Sequence, residues 1–436
     1  MNQQDTKPLL LQIYQAALAA VAPGPVLVRA LQEDESSSPS RPSRLWIIAL
    51  GKAAQPMAEA AVRVLADRGQ APAGGLVVAP VAGPRPHPSI AALVGDHPEP
   101  AAGSLAAADA LDGLVKQVSS GDSVWVLLSG GTTSLIGAPQ PGITAPELKA
   151  LYTQLLRSGL DIKAMNRVRK RFTRWSAGRL ARSLAPAHVR CYIVSDVIGD
   201  DLAAIASGPC VPDPSTAREV REALVHAELW DGLAPSLQRH LTEVERGGLP
   251  ETPKPGDPIF AGVETRLIAS NRLALEAAGR RVLELGLVPE IIEAPLMGEA
   301  ATAGARIAQQ LGAGYRQARP TRCLIAGGET TVTFTDQEPG SGGRSQELAL
   351  AAARDLRGVP SPVALLAAGT DGRDGPTDAA GAVVDGSTWD RIAAAGRDPQ
   401  RDLQRHDSYP ALAAADALIR IGPTGTNVMD IVVGIA

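Results

Sequence analysis

The chain has 436 residues, which is enough for two domains or one very large one. Its 42 Lys and Arg residues against 46 Asp and Glu give a formal net charge of −4, which argues against a dedicated nucleic-acid-binding or acidic-membrane-binding protein. The three cysteines are far apart and form no CxxC pair, so a disulfide framework or a cysteine zinc site is not expected and a reducing compartment fits.

The N-terminal segment is predicted to be an amphipathic helix. Leu9, Ile13, Ala16, Ala17 and Ala20 recur at helical spacing, and polar residues interrupt what could otherwise pass for a signal sequence. No run of about 18 apolar residues occurs in the sequence. We therefore predict no membrane partner and a cytoplasmic location.

Short aliphatic runs along the chain predict buried strands, and helical patterns such as 52–68 lie between them. The predicted strands are 45–50, 76–79, 124–128, 192–194, 324–326 and 363–367. Alternation of strands and helices favours parallel pairing through right-handed crossovers, so the predicted fold class is α/β. Thr144 and Glu147 form a capping box that begins a further helix.

Two stretches have the composition of linkers. Residues 35–43 contain no hydrophobic anchor, and residues 247–258 are rich in Gly, Pro and Glu. We place a domain boundary at the second stretch, which divides the chain into domains 1–250 and 258–436.

Small and charged residues follow five of the predicted strands, where ligands bind in open parallel sheets. They are Gly51 and Lys52; Ser129, Gly130, Gly131, Thr132 and Ser134; Asp196 and Asp200; Gly328 and Glu329; and Thr370 and Asp371. Glycine lets the backbone approach a ligand, and a following helix N-terminus favours an anion. One such junction is explained by a tight turn, but five together predict a phosphate or carboxylate site.

Two basic residues stand at predicted helix starts. Lys52 is not part of a P-loop, because Trp46 and Ala53 occupy positions where that motif needs Gly and Ser or Thr. A lysine in the first turn of a helix opposes the helix dipole, which favours an anion-binding role. Arg344 follows Gly342 and Gly343 and could hold a phosphate bidentately; the alternative is a flexible hairpin after a predicted strand at 331–335.

The aspartates beside these loops suggest Mg²⁺, which needs only one or two protein carboxylates in addition to phosphate oxygens. The candidate ligands are Asp196, Asp200 and Asp371, although Asp is also common in turns for its own backbone hydrogen bonds.

The basic segment 163–182 is either a solvated helix face or a patch that attracts an anionic substrate.

In their order along the chain, these segments resemble the glycerate 2-kinase family that carries a C-terminal MOFRL domain. The matching blocks are GKAA at 51–54, GDHPEP at 95–100, LLSGGTTSL at 127–135, MNRVRKRF at 165–172, SDVIGDD at 195–201, SGPCVPDPST at 207–216, GGETTV at 327–332, GGRSQELALAA at 342–352, AAGTDGRDGPTDAAGA at 367–382 and GPTGTN at 422–427. Ten ordered blocks from about residue 45 to the C-terminus make the resemblance specific.

The resemblance implies phosphorylation of D-glycerate at its 2-hydroxyl with ATP and Mg²⁺. It also implies a Rossmann-like N-terminal domain, a smaller α/β C-terminal domain and an active site in the cleft. The family's proposed catalytic residues correspond to Lys52, Asp196 and Arg344 here. The chain departs from the family at Ser176, Ala177 and Gly178, where Lys-Gly-Gly is frequent, so one basic contact is missing.

Two other functions compete with the kinase. A nicotinamide-dependent hydroxypyruvate reductase, the name that relatives of the family often carry, should show G-x-G-x-x-G after a strand, and the sequence has no such string. A non-catalytic metabolite sensor should lose the charged residues, yet Lys52, Asp196 and Arg344 are present. The sequence leaves the oligomeric state open, including a homo-oligomer.

Overall fold

The structure is a computed structural model that describes residues 6–35, 44–315, 321–334, 340–360 and 362–436. Except for Glu35, the predicted linker 35–43 lies outside the described residues. The chain forms two compact units. The first unit comprises Pro23–Ile268, and the second comprises Met1–Ala22 together with Ala269–Ala436.

Helices and strands alternate along most of the chain. The strands are β1 (Leu45–Leu50), β2 (Gly74–Ala79), β3 (Ile90–Val94), β4 (Ser123–Leu128), β5 (His188–Val194), β6 (Val263–Ala269), β7 (Val288–Ile291), β8 (Arg322–Gly328), β9 (Ala364–Gly369), β10 (Gly381–Asp385), β11 (Leu418–Ile419) and β12 (Asp430–Ile435). The α-helices are α1 (Thr6–Ala20), α2 (Pro23–Glu35), α3 (Ala54–Asp67), α4 (Ala102–Val115), α5 (Thr132–Leu135), α6 (Ala145–Leu156), α7 (Ile162–Phe172), α8 (Arg179–Leu184), α9 (Ala217–His226), α10 (Pro235–Glu245), α11 (Asn271–Glu284), α12 (Ala300–Tyr315), α13 (Arg344–Asp355), α14 (Thr388–Ala394), α15 (Pro399–Gln404) and α16 (Ser408–Ala414). Short 3₁₀ helices occur at Ile205–Ser207, Trp230–Gly232 and Pro258–Gly262.

The first unit is built on a six-stranded sheet in the order β3-β2-β1-β4-β5-β6. The pairs β1–β2, β1–β4, β2–β3 and β4–β5 are parallel, with Leu50 opposite Leu128 at the carboxyl ends of β1 and β4. All six residues of β1 are buried, because helices cover both faces of such a sheet. This strand order is that of Rossmann folds, so the predicted Rossmann-like α/β class is confirmed.

The second unit contains a mixed sheet in the order β11-β10-β9-β12-β8-β7. Only β7 and β8 pair in parallel; β8–β12, β12–β9, β9–β10 and β10–β11 are antiparallel. The parallel pairing that alternating strands and helices favour therefore does not extend to most of this unit. The reason is that β12, from the end of the chain, inserts between β8 and β9 and runs opposite to both.

The N-terminal helix is a structural part of the second unit. Leu10, Ile13, Tyr14 and Ala17 on α1 are buried, and α1 packs on α11. The hydroxyl of Tyr14 donates a 2.6 Å hydrogen bond to the carbonyl of Gly369 at the end of β9. The predicted amphipathic helix is confirmed, and its apolar face is part of a core.

The segment 247–258, at which the sequence was divided into domains, lies inside the first unit. Thr252 is 2% exposed and donates to Asp213, and the backbone N–H of Asp213 donates to the carbonyl of Pro253. The compact units instead change at residues 22/23 and 268/269.

Two local predictions had opposite outcomes. The capping box at Thr144 and Glu147 is present, with the Thr144 hydroxyl accepting from the Glu147 backbone and the Glu147 carboxylate accepting from the Thr144 backbone. The strand predicted at 331–335 is wrong within its described part, where Thr331 forms only a single bridge with Glu299.

Among the described residues, no single helix has the length and apolar character needed to span a membrane; only α1 and α2 taken together, across a bend, would have them.

Candidate functional site

The first group of candidate residues lies at the switch point of the parallel sheet, between β1 and β4. Strand order reverses there, so the connections leaving the two strands diverge and open a crevice at their carboxyl ends. The loop after β1 holds Gly51 and Lys52, and the loop after β4 holds residues 129–134. The backbone N–H of Lys52 donates to the carbonyl of Gly130 at 2.9 Å, which joins the two loops.

The hydroxyl groups of the second loop hold the loop itself in shape. The Ser129 Oγ accepts from the backbone of Ala53 at 2.9 Å, and Thr132 donates to the carbonyls of Leu50 and Ser129. Ser134 donates to the carbonyl of Gly131. These side chains are therefore already engaged, and what the loop can offer a ligand is mainly its glycine backbone.

The glycines are required because side chains press directly against them. A Cβ on Gly51, which has φ +120°, would collide with Ser129, and a Cβ on Gly130 would collide with the carboxylate of Asp196. Gly131 has φ +85°, and a Cβ there would lie 3.1 Å from the ring of His97 and 3.5 Å from Lys52. Lys52, His97 and Asp196 thus surround the two glycines.

The electrostatics of this group centre on Lys52, which is half-buried and forms no ion pair with any described residue. The pKa of His97 is lowered by shielding of its ring from water and then by the cation of Lys52. His97 is therefore neutral at pH 7, and Lys52 provides the positive charge beside the glycine loop. A cation beside a glycine loop, with no ion-pair partner among the described residues, suits an anion.

The aspartates that follow β5 do not by themselves form a complete set of protein ligands for a metal ion. Asp196 is half-buried beside Gly130, whereas Asp200 lies farther along the loop with φ 54°. No three His, Cys, Asp or Glu side chains are grouped to hold a metal ion in the part of the chain that the structure describes. A Mg²⁺ ion bound mainly through phosphate oxygens needs fewer protein ligands.

A second group of candidates lies in the second unit, where β8 and β9 end at the same edge of the sheet with the start of β12 between them. Asp430, the first residue of β12, is opposite Gly328 on one side and Gly369 on the other. Arg344, the first residue of α13, meets this edge. Its Nε and Nη2 donate to Asp430 at 2.6 and 3.1 Å, and its Nη1 donates to Glu329 at 2.5 Å.

Arg344 is held as a permanent cation by these carboxylates. Burial alone would lower the pKa of Arg344, but the hydrogen bonds and charge of Asp430, with further charge from Glu329 and Asp374, raise it. An arginine has five N–H donors. Three of them donate to described residues, so two remain for a ligand such as a phosphate.

The glycines before Arg344 are required by packing rather than by an open ligand site. A Cβ on Gly342 would collide with Ser408, and one on Gly343 would collide with Asp374. Asp374 is 4% exposed and accepts the backbone N–H groups of Ser345 and Gln346 at 3.1 and 2.7 Å, which caps α13. Gly328 likewise has φ +145° because the backbone of Leu296 lies against it.

The structure gives Thr370 and Asp371 different surroundings. Thr370 is fully buried, and its hydroxyl donates to the carbonyl of Met429 and accepts from the backbone of Val428. Asp371 is half-buried and accepts from the backbone of Arg373. Burial raises the pKa of the Asp430 carboxyl, and the charge of Asp371 adds to that effect. Asp371 therefore remains available to a ligand, while the Thr370 side chain is engaged in the fold.

Part of the basic segment 163–182 serves the interior of the first unit. Lys170 and Arg171, which are 8% and 2% exposed, pair with buried Asp213, and Arg171 also pairs with Glu251. Arg179 donates to backbone carbonyls of residues 170–176. These residues form a buried ion network, so the hypothesis of a substrate-attracting patch does not extend to them.

The chain's departure from the family at residues 176–178 adjoins a strained turn. Ala206 and Ser207 have φ 54° and 61°, which are unusual for residues other than glycine. The backbone N–H of Ala177 donates to the carbonyl of Ser207, and the Ser207 hydroxyl lies 2.9 Å from that of Thr133 in the glycine-loop helix. Such strain is often concentrated at functional sites.

Sequence reasoning missed the residues that orient the candidates. Asp430 is 86 positions away from Arg344 along the chain and stands in no motif with it, and only the folded sheet brings the two together. Thr133 lies in the glycine loop, but its contact with Ser207 has no sequence signal. The structure also places His97 beside Lys52.

Two family profiles match the sequence. One is described as a domain of unknown function, DUF4147, and covers residues 9–242; the other is the MOFRL family and covers residues 322–430. A relative from Thermotoga maritima, named D-glycerate 2-kinase, is 38% identical over all of this chain and 99% of its own length. A relative from Agrobacterium vitis, 36% identical over 99% of this chain and 94% of its own length, carries a provisional name as a hydroxypyruvate reductase.

A solved structure shows that the whole fold is shared. The crystal structure of glycerate kinase from Thermotoga maritima superimposes with a TM-score of 0.86 at 37% identity, covering 98% of this chain and 99% of that one. Such agreement over the full length, together with the two profiles, establishes the family. The chain belongs to the glycerate 2-kinase family in which a DUF4147 domain is joined to a MOFRL domain.

Proposed function

We propose that this protein transfers the γ-phosphoryl group of ATP to the 2-hydroxyl of D-glycerate, giving 2-phosphoglycerate and ADP. The observation that supports this most strongly is the convergence of Lys52, Asp196 and the Gly130–Gly131 backbone at the switch point of a Rossmann-like sheet. Phosphoryl transfer asks a protein mainly for positioning and for neutralisation of charge. An unpaired lysine beside a glycine loop supplies both.

We assign distinct roles to the three charged residues. Lys52 neutralises charge on the transferred group, while the glycine backbone holds phosphate oxygens. Asp196 orients the 2-hydroxyl and takes its proton as the hydroxyl oxygen bonds to the γ-phosphorus and the bond to the ADP oxygen breaks. Arg344, fixed by Asp430 and Glu329, presents its two remaining N–H groups to an anionic group of a substrate.

The carboxylates fit a Mg²⁺ ion carried by the nucleotide. Asp196 and Asp371 are half-buried and accessible, and Asp200 follows Asp196 in the same loop. One or two carboxylates suffice when phosphates supply other ligands, which agrees with the lack of a larger cluster among the described residues. When bound, Mg²⁺ would reduce the negative charge on the phosphate groups.

The geometry of the substrate favours the 2-hydroxyl over the 3-hydroxyl. The carboxylate and the 2-hydroxyl of glycerate are attached to adjacent carbons, so a site that fixes the carboxylate also fixes the 2-hydroxyl within a narrow arc. Correct placement of a nucleophile contributes several kcal/mol, about 7–11 kcal/mol at its limit. The freely rotating 3-hydroxyl should therefore compete poorly.

The test is an ADP-release assay with ATP, Mg²⁺ and a panel of hydroxy acids, followed by phosphorus NMR of the product. We expect turnover with D-glycerate and a 2-phosphoglycerate signal. A dominant 3-phosphate signal would refute the substrate pose but not the kinase. NADH consumption with hydroxypyruvate at enzyme-like rates, without ADP release from glycerate, would establish the reductase instead.

A further inference from the structure

The first unit contains a cavity that the proposed roles of Lys52, Asp196 and Arg344 do not use. Its volume is about 460 Å³, and it lies among the chain before α4, helices α5, α6 and α7, and the strained turn at residues 204–207. Its apolar wall is formed by Pro98, Pro100, Leu105, Leu148 and Leu156. We call it the α6–α7 cavity.

The α6–α7 cavity borders the glycine loop. Thr133 and Ser134, which follow Gly131 in that loop, line it, and so does Ser207, whose hydroxyl lies 2.9 Å from that of Thr133. Pro98 also lines it and directly follows His97, the ring beside Gly131 and Lys52. A ligand in this cavity would therefore be a neighbour of whatever the glycine loop binds.

Two side chains that line the cavity carry polar atoms whose hydrogen-bonding capacity is unused. The hydroxyl of Tyr152 and the Nε of Arg169 are buried and have no hydrogen-bond partner among the described residues. The Arg169 guanidinium lies 5.0 Å from the centre of the Tyr152 ring, so the two side chains are in cation–π contact. Burial raises the pKa of Tyr152 to about 12, so its hydroxyl stays a neutral donor.

Buried polar atoms in folded proteins are nearly always hydrogen-bonded, so two unpaired atoms on side chains that line one cavity point to a ligand with matching groups. Asn166, also in the wall, offers both a donor and an acceptor. An apolar wall with a few converging polar groups suits a flat heteroaromatic group with hydrogen-bonding edges. The cavity is far larger than a three-carbon acid requires.

We propose that the α6–α7 cavity binds the adenine and ribose of the nucleotide, whose phosphates extend toward the glycine loop. This inference rests on the proposed kinase function and adds to it the subsite that recognises the nucleoside. Aliphatic side chains and the Tyr152–Arg169 surface contact the base, and the hydroxyls of Tyr152, Thr133 and Ser207 serve its polar edge and the ribose.

The test compares two tryptophan variants on one helix by isothermal titration calorimetry. Ala145 lines the cavity, whereas Ala150, on the same helix, is exposed and outside it. Ala145→Trp should weaken ADP binding by about tenfold or more because the indole occupies the nucleoside space. Ala150→Trp should leave ADP binding unchanged. Inorganic tripolyphosphate, which lacks the nucleoside, should bind both variants as it binds the wild type.

Tyr152→Phe tests the same site without adding bulk, and it removes only the unpaired hydroxyl. We expect severalfold weaker ADP binding with unchanged binding of tripolyphosphate. Unchanged ADP affinity in Ala145→Trp and Tyr152→Phe would overturn the proposal, as would loss of D-glycerate binding in Ala145→Trp with ADP binding retained. A wild-type protein that binds ADP in this way but releases none from ATP and glycerate would refute the kinase function alone.

Discussion

Lys52 is the residue on which the proposed chemistry depends most directly. It is half-buried beside Gly131 and lowers the pKa of His97 after the larger effect of burial. Among the described residues no carboxylate pairs with it, in contrast to Arg344, which has two. A free cation beside a glycine loop contributes little to folding, so its removal should affect activity far more than stability.

We predict that Lys52→Ala lowers kcat by about 10²-fold or more, the effect of losing one preorganised charge contact. The same change should raise the pKa of His97 toward its ordinary value, since the second cause of its depression is removed. An NMR titration of the histidine rings measures this shift. His240, whose pKa burial and the charges of Arg179 and Arg171 lower to about 4, is the internal control and should not move.

Wild-type turnover in Lys52→Ala would remove Lys52 from the mechanism. An unchanged His97 titration with reduced turnover would mean instead that the substitution displaces the loop. The two measurements together separate loss of charge from loss of structure.

At the scale of elements, contacts with neighbouring residues, more than the backbone conformation, determine where the loop after β4 needs glycine. Gly130 does not have a left-handed φ, and it must be glycine because Asp196 lies against its Cα. A side chain at this position would push apart the loops that follow the neighbouring strands β4 and β5. Gly113 on α4 offers a matched comparison, because a Cβ there would meet no atom within 4 Å.

Gly130→Ala should therefore lower kcat by about tenfold to a hundredfold, since the added Cβ must push the Asp196 carboxylate aside and so spoils the orientation of the reacting group. Gly113→Ala should have wild-type activity and equal or slightly higher stability, because alanine favours a helix. Steady-state kinetics and thermal melting of both variants make the comparison. Full activity in Gly130→Ala would show that Asp196 can move away without consequence.

The cap of α13 makes a contribution to folding stability that depends on pH. Burial, with a smaller contribution from Asp430, raises the pKa of Asp374 from 3.8 to about 7, although the N–H groups of Gln346 and Ser345 oppose the rise. A carboxyl with a raised pKa binds its proton more tightly in the folded state. Its stabilising contribution is present below pH 3.8 and is lost as the pH rises through about 7.

We predict that the amides of α13 lose hydrogen-exchange protection between pH 4 and pH 7, after correction for the intrinsic exchange rate, and that Asp374→Asn removes this pH dependence. The limit for three pKa units is about 4 kcal/mol, and screening and relaxation should reduce it. Asp231→Asn, at an exposed site in the other unit, should leave the profile of α13 as in the wild type. A pH-dependent loss that persists in Asp374→Asn would assign the titration to another group.

The elements that could be predicted from the sequence are those whose pattern lies within a few consecutive residues. All six aliphatic runs became buried strands, because such runs need only to be covered on both faces. The glycine loops and Lys52 were predictable because each directly follows a strand. The antiparallel sheet of the second unit was not predictable in this way, since β12 takes its place between β8 and β9 only through long-range pairing. The same pairing brings Asp430 to Arg344.

At the scale of the whole molecule, the N-terminal helix is separated in sequence from the unit that it completes. Residues 23–268 lie between α1 and the rest of the second unit. A domain 1–250 would include α1, because a short helix next to a predicted domain has no signal for a distant partner. In the structure, Ile13 is fully buried, α1 packs on α11, and the Tyr14 hydroxyl reaches the end of β9.

The two groupings give different expectations for one substitution in α1. Ile13→Ala removes buried methyl groups and should destabilise the unit that contains α1 by about 2–5 kcal/mol. If α1 belongs to the second unit, hydrogen exchange should rise in α11 and β9 and stay unchanged in α4 of the first unit. Gln15→Ala, an exposed change on the same helix, should alter neither. Faster exchange in α4 with α11 unaffected would instead support the division at residues 250–258 and would assign α1 to the first unit.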